Sequence, residues 1–243
     1  MNYRVIYDYH THTTYSHGKG TIEDNVLVAL EKGLSGIAIS DHGPGHVLYG
    51  VNAQKTELMR KDVERLRTLH PNIEIFLSVE ANIMNVGNHL DLNEQEIKAY
   101  DFIIAGYHLG MKNGYFWENL LNKITNIAVS GRQNLLVKNT DMAIKAIYEN
   151  SIKILTHPGG KAPFDIVEIA KACADRGTLL EISAHHRELT IGDIKKASKF
   201  DVQFVVSSDA HTPSRVGDCA AAIERANEAG LDMSRIVNIV ACD

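Results

Sequence analysis

Seven short apolar runs punctuate the chain: Val5–Tyr9, Gly36–Ser40, Ile75–Val79, Ile103–Tyr107, Ile154–Thr156, Leu179–Ser183 and Phe204–Ser208. Each is continuous rather than alternating, the pattern of a parallel strand buried on both faces. Helical patterns lie between them. Thr21 is a predicted N-cap before Ile22, Glu23 and Asp24, with Val26, Leu27 and Leu30 at helical spacing and Gly33 at the far end. Gln54 to Leu69 carries Leu58, Met59, Leu66 and Leu69 among charged residues, and Pro163 is predicted in the first turn of a helix bearing Ile166, Val167, Ile169 and Ala170. Strands alternating with helices predict an α/β barrel, a fold whose chemistry sits at the carboxyl ends of its strands.

Polar residues enter at those ends. His10 and His12 follow the first run; residues two apart on a strand share a face, so the two imidazoles make half a metal site. The second run leads into Asp41-His42, the third into Glu80, the fourth into His108, the fifth into His157 and the last into Asp209-Ala210-His211. Six of the seven runs therefore end on groups that bind cations. Asp8 shares the predicted face of His10 and His12 one layer deeper, where its carboxylate is placed to orient a ligand imidazole, and Asp41 is placed likewise beside His42.

The 243 residues contain no composition shift, linker or repeat, so one domain over 1–243 is expected. Cys173, Cys219 and Cys242 lack paired spacing and read as reduced thiols. The first run begins close to Met1, and no apolar run reaches the ~18 residues of a membrane span, so no signal peptide, no membrane association and a cytoplasmic location are expected.

These motifs resemble the PHP family, named for its polymerase and histidinol phosphatase members. The residues that carry the resemblance are His-Thr-His-Thr at 10–13, Ser-Asp-His-Gly-Pro at 40–44, Glu-Ala-Asn-Ile at 80–83, Ala-Gly-Tyr-His at 105–108, Thr-His-Pro-Gly at 156–159 and Ser-Asp-Ala-His-Thr at 208–212. Their order is similar to that of small stand-alone bacterial members. The resemblance implies a distorted seven-stranded parallel (β/α)7 barrel, TIM-like, with a trinuclear metal site. By motif, one metal takes His10, His12, Glu80 and Asp209; a second shares Glu80 and adds His108 and His157; the third takes His17, His42 and His211. Catalysis is then assigned to Glu80 and Asp209 among the protein groups. Imidazoles with few carboxylates and no thiolate suit zinc, manganese or iron.

Clustered divalent ions favour a phosphate ester attacked by metal-bound hydroxide. Three such ions would carry the formal charge of −5 to about +1, enough to attract a small anion. No Lys/Arg stripe with interleaved aromatics tracks a polynucleotide, so a small phosphomonoester is the expected substrate and no stable nucleic acid complex is expected; a homo-oligomer is compatible with the chain. Arg215 and Lys161 are the cations placed for phosphate, and His46, His185 and His186 fall on loops of the active face, while His70 and His89 carry no assigned role. Three other readings stand beside this one: a phosphodiesterase or 3′-5′ exonuclease, a metal-dependent amidohydrolase, and a non-enzymatic metal sensor. The amidohydrolase would need a lysine at an active strand end, and none is found there.

Overall fold

A computed structural model describes residues 2–109, 111, 113–125 and 132–242. Strand β1 (Tyr3–Val5) is followed by β2 (Tyr7–Thr11), and the alternation then runs α1 (Ile22–Glu31), β3 (Gly36–Ile39), α2 (Ala53–Leu69), β4 (Glu74–Asn82), the single turn α3 (Glu94–Ile97) and β5 (Phe102–Gly106). Next come α4 (Phe116–Thr125), α5 (Arg132–Glu149), β6 (Ile152–Leu155), α6 (Ile166–Arg176), β7 (Leu179–Ser183), α7 (Ile191–Ala197), β8 (Phe204–Ser207), α8 (Ala220–Glu228) and β9 (Ile239–Ala241). Strands β2 to β8 pair in chain order, all parallel, as a seven-stranded sheet curled into a nearly closed barrel.

The helix signals act as the sequence suggests at α1. The Thr21 side chain accepts from the Asp24 N–H, and the Asp24 carboxylate accepts in return from the Thr21 N–H, while Gly33 takes φ +69° past the end. Pro163 departs from expectation. It lies outside α6, because Asp165 supplies the cap and the helix begins one residue later. The first apolar run also divides. Val5 pairs antiparallel with Ile239, while β2 starts at Tyr7.

The seam between β2 and β8 is closed in two ways. At the carboxyl ends Thr11 bridges Ala210, with the His12 N–H donating to the Ala210 carbonyl at 2.8 Å. Below this, Asn238 fills the gap. Its amide accepts from the Val206 N–H at 3.0 Å and donates to the carbonyls of Val206 at 2.6 Å and Tyr7 at 2.7 Å. Asn238 is 1% exposed, so these bonds satisfy strand groups that would otherwise be buried without partners.

The main core lies between helices and sheet, where Val26, Met59, Val63, Leu66, Ile169 and Ile194 pack toward strand residues such as Ile37 and Leu77. Each such side chain contributes roughly 1.5–3 kcal/mol by leaving water. A second, smaller cluster of Ile104, Ile154 and Val205, with Tyr9, Phe102 and Leu179 against it, forms an apolar floor inside the barrel. Glu181 and Ser207 stand two residues beyond Leu179 and Val205 on their strands, so the polar layer begins directly above that floor. No helix of the described residues is long and apolar enough to cross a membrane.

Candidate metal centre

Glu80 is the hub. It lies within β4, which continues to Asn82, rather than at the strand's end. Its two carboxylate oxygens face different imidazoles. Oε1 is 2.8 Å from His157 Nε2 and 3.2 Å from His108 Nε2; Oε2 is 3.1 Å from His42 Nδ1, 3.4 Å from His10 Nε2 and 3.6 Å from His12 Nε2. Thr156 Oγ1 also donates to Oε1 at 2.8 Å. Gly106 makes room for this junction: a Cβ there would stand 2.2 Å from Thr156 Oγ1 and 2.9 Å from the His157 ring.

Around the hub, donor atoms within 4.8 Å of one another fall into sets that include His10, His12 and Glu80; His42, Glu80 and His108; His10, His157 and Asp209; and His12, His17, His42 and His211. All nine residues expected as ligands are therefore brought together, although His12 stands with both its own set and that of His17. His157 and Asp209 hold positive φ, +28° and +49°, a strained region for non-glycine residues that costs of order 1–3 kcal/mol and clusters at functional sites.

Several buried polar atoms here have no hydrogen-bond partner among the described residues: His12 Nδ1, His17 Nδ1, His42 Nδ1, Glu80 Oε2 and Asp209 Oδ1; the 3.1 Å approach of His42 Nδ1 to Glu80 Oε2 is not aligned as a hydrogen bond. Orphaned buried lone pairs are costly, and their convergence on one cavity fits a donor set for divalent cations. The electrostatics agree. Burial alone would raise the Glu80 carboxyl, yet His108, His10 and His157 outweigh it and hold it well below the carboxylate range; burial likewise opposes, and His10 and His12 lower, Asp209. Burial drives His17 down to about 4 and His108 to about 3, leaving neutral imidazoles.

Behind the ligands stands a layer that sequence reasoning only partly reached. His10 Nδ1 meets Glu181 Oε1 at 2.7 Å, Ser207 Oγ donates to the same oxygen, and the His157 N–H donates to Glu181 Oε2 at 2.6 Å. Glu181 was legible as a lone carboxylate inside a buried apolar strand, a signal that Leu179–Ser183 carries openly. His108 Nδ1 faces Asn82 Oδ1 at 2.8 Å, and Asn82 is held in turn by Asp91. Asn82 lies two residues beyond Glu80, on the same strand face. Asp41 accepts from the Thr13 N–H at 2.8 Å, from the Thr13 hydroxyl and from Ser16, tying down the loop that carries His17; its distance to His12 Nδ1 is 4.0 Å, too long for a hydrogen bond.

Asp8 does not reach a ligand imidazole. Its carboxylate accepts from Ser208 Oγ and N–H, from the Gly217 N–H and, at 3.4 Å, from the His10 backbone N–H. The cause is a register shift between Asp8 and Thr11. It interrupts the two-residue alternation, so that Tyr9 meets the interior floor and His10 meets interior Glu181.

The cavity over the centre has a volume of about 290 Å³ and is bordered by Lys161, His46, Tyr49, His185 and His186 as well as the ligand histidines other than His10, which is fully buried beneath it. Among the described residues, Lys161 is its one Lys or Arg. Arg215 does not line it. Its side chain is 46% exposed on the turn Pro213–Arg215, with Nη2 3.4 Å from Asp218 Oδ2, because the turn carries the side chain away from His211. A larger cavity of about 700 Å³ lies on the flank between α2 and residues 96–101, beside the Arg60 and Arg67 ion pairs to Asp101; it contains none of the histidines.

A barrel with this carboxylate-bridged histidine cluster is the architecture of a metal-dependent hydrolase. The chain matches the PHP domain over residues 8–185 and the PHP-associated region over residues 194–236, and it belongs to the PHP family. A probable phosphatase of Thermoanaerobacter sp. (strain X514) is 28% identical over 250 residues, covering 97% of this chain and 91% of that one. A probable phosphatase of Shewanella baltica (strain OS195) is 33% identical over 190 residues, 75% of this chain and 63% of the other. Among solved structures, histidinol phosphate phosphatase from Lactococcus lactis, complexed with zinc, L-histidinol and phosphate, superposes with TM-score 0.63 at 15% identity, covering 93% of this chain and 94% of that one. A structure from Listeria monocytogenes gives TM-score 0.69 at 15% identity, covering 87% and 97%. These two establish likeness of fold.

Proposed function

We propose that this chain hydrolyses a small phosphomonoester by direct attack of water at a centre of three divalent cations. It is a PHP-family phosphatase, and the observation that carries the finer reading is Glu80, whose two oxygens face separate sets of imidazoles. His10, His12, Glu80 and Asp209 would hold one cation, Glu80, His108 and His157 a second, and His17, His42 and His211 a third. When bound, such ions lower the pKa of water and neutralise phosphate oxygens.

The chain's own groups prepare this. Glu181 on His10 Nδ1, Asn82 on His108 Nδ1 and the Asp209 carbonyl on His211 Nδ1 each occupy one ring nitrogen, leaving Nε2 free as a ligand atom. Lys161 supplies a positive charge for a phosphate oxygen, and His46, His185 and His186 border the space left for the alcohol. Three hydroxyls beside the ligands donate to carboxylates, Thr156 to Glu80, Ser207 to Glu181 and Ser208 to Asp8. None of these three residues borders the cavity, which favours water over a covalent phosphoenzyme. A 290 Å³ cavity with a single lysine among the described residues suits a monoester better than a polynucleotide track.

Parallel hydrolysis of an aryl phosphomonoester, its diester and an oligonucleotide tests the reading. The monoester is expected to react fastest, with activity abolished by chelator and restored by zinc or manganese, at close to three metals per chain by elemental analysis. Faster cleavage of the diester or oligonucleotide replaces this reading with a phosphodiesterase, and one metal or none after reconstitution rejects the three-cation centre.

A further inference from the structure

We infer that His185, His186 and the outer oxygen of Asp209 form a fourth, weaker cation site at the mouth of the cavity. The donor atoms of these three side chains lie within 4.8 Å of one another. Asp209 divides its carboxylate between two sets of imidazoles. Oδ1 is 3.3 Å from His12 Nε2 and 3.7 Å from His10 Nε2, whereas Oδ2 is 3.5 Å from His186 Nε2.

His186 is set up as His10 is, though more loosely, since its contact with Glu188 is too long for a good hydrogen bond. Its far nitrogen, Nδ1, faces Glu188 Oε2 at 3.5 Å while Nε2 faces Asp209. The same order of carboxylate, imidazole and Asp209 recurs at His10, whose far nitrogen faces Glu181. A carboxylate on the far nitrogen orients a ring and raises its basicity toward a metal. The turn bearing both histidines is also held in place. Ser183 Oγ accepts from the His185 N–H at 3.2 Å and the His186 N–H at 3.1 Å, and Arg225, 8% exposed, donates to the Ser183 carbonyl at 2.6 Å.

Two imidazoles and one carboxylate suit zinc or a neighbouring first-row divalent ion, with a coordination position left open. His185 is exposed, so an ion there exchanges readily, and Lys161 across the same cavity weakens it further. On the phosphatase reading, an ion at this place stands where substrate enters, so excess metal competes with phosphoester.

Equilibrium dialysis of the full chain against rising free zinc, with elemental counting, tests the site. Wild type is expected to take up one weak equivalent beyond its tight complement. His185→Ala and, separately, His186→Ala each lose that equivalent and keep the tight complement, and Glu188→Gln weakens the same step by about tenfold. Absence of a weak equivalent in wild type, or its persistence in both variants, overturns the proposal. The result is read as a difference of one between wild type and variant. Failure of the three-cation assignment has another signature, a changed tight count with that difference intact.

Discussion

Replacing Glu181 by glutamine tests whether the layer behind the ligands holds the centre together. Three donors converge on this carboxylate: His10 Nδ1 and Ser207 Oγ on one oxygen, and the His157 N–H on the other. An amide has one acceptor oxygen, so its NH2 group must face a donor whichever way it turns. The less costly orientation leaves the His157 N–H unpaired, at about 1–3 kcal/mol, and turns two charge-assisted bonds into neutral ones, losing about 1 kcal/mol each. The metal-free fold should therefore lose about 3–5 kcal/mol. The bond at His157 also holds a residue at φ +28°, so its loss lets the backbone relax and withdraws a ligand. Metal affinity should fall about 10–100-fold. Denaturant unfolding of the metal-free chain and titration in metal buffers measure the two effects. A variant within about 0.5 kcal/mol of wild type and with unchanged metal affinity would refute the reasoning, because no buried charged acceptor can be replaced at that cost.

Glu80→Gln removes the charge facing both imidazole sets and should cost at least about 100-fold in kcat/KM, about 2.7 kcal/mol of transition-state stabilisation, along with bound metal; a variant that keeps its metals and turnover removes Glu80 from the bridging role. Arg215→Lys, at an exposed ion pair with Asp218, should change stability by less than about 0.5 kcal/mol and leave kcat/KM near wild type; a tenfold fall would return Arg215 to the substrate. In the metal-free chain, burial holds His17 at about 4, His108 at about 3 and His186 at about 4, and also lowers His12, His46 and His211, whereas carboxylates raise His10 and His157 against their burial. The lowered groups bind protons on unfolding, so their contribution is complete above the ordinary 6.5 and is lost as pH falls toward 4. They outnumber the groups that run the other way, the raised pair together with the carboxyls of Asp8, Asp41 and Asp91, which burial raises. Tm of the metal-free chain should therefore fall between pH 7 and pH 5, and a constant or rising Tm contradicts this balance.

The strand runs and their terminal His, Asp and Glu residues were legible because a parallel barrel strand is buried on both faces and must change character where it meets the active face. That change from apolar to polar is written in consecutive residues, as at Ile103–Tyr107 and His108. Reading one step further failed where strict alternation was carried from His10 back to Asp8. Asp8 was expected beside His10 on the two-residue period, but the shift before Thr11 sends its carboxylate to Ser208 and Gly217 instead. Arg215 was expected near phosphate from its closeness to His211 in the chain; four residues were enough for a turn to carry it outward.

By itself the sequence determined the barrel, the crossover helices and the residues that offer lone pairs at strand ends, since these follow from local periodicity and side-chain chemistry. Only the tertiary structure decided which carboxylate stands behind which imidazole. Glu181 and His10 are 171 residues apart in the chain and 2.7 Å apart in space, and Asn238 stitches β2 to β8 from a segment near the other end. Such pairings depend on closure of the sheet, which brings the first strand against the last, and no spacing along one strand encodes a distance across a barrel.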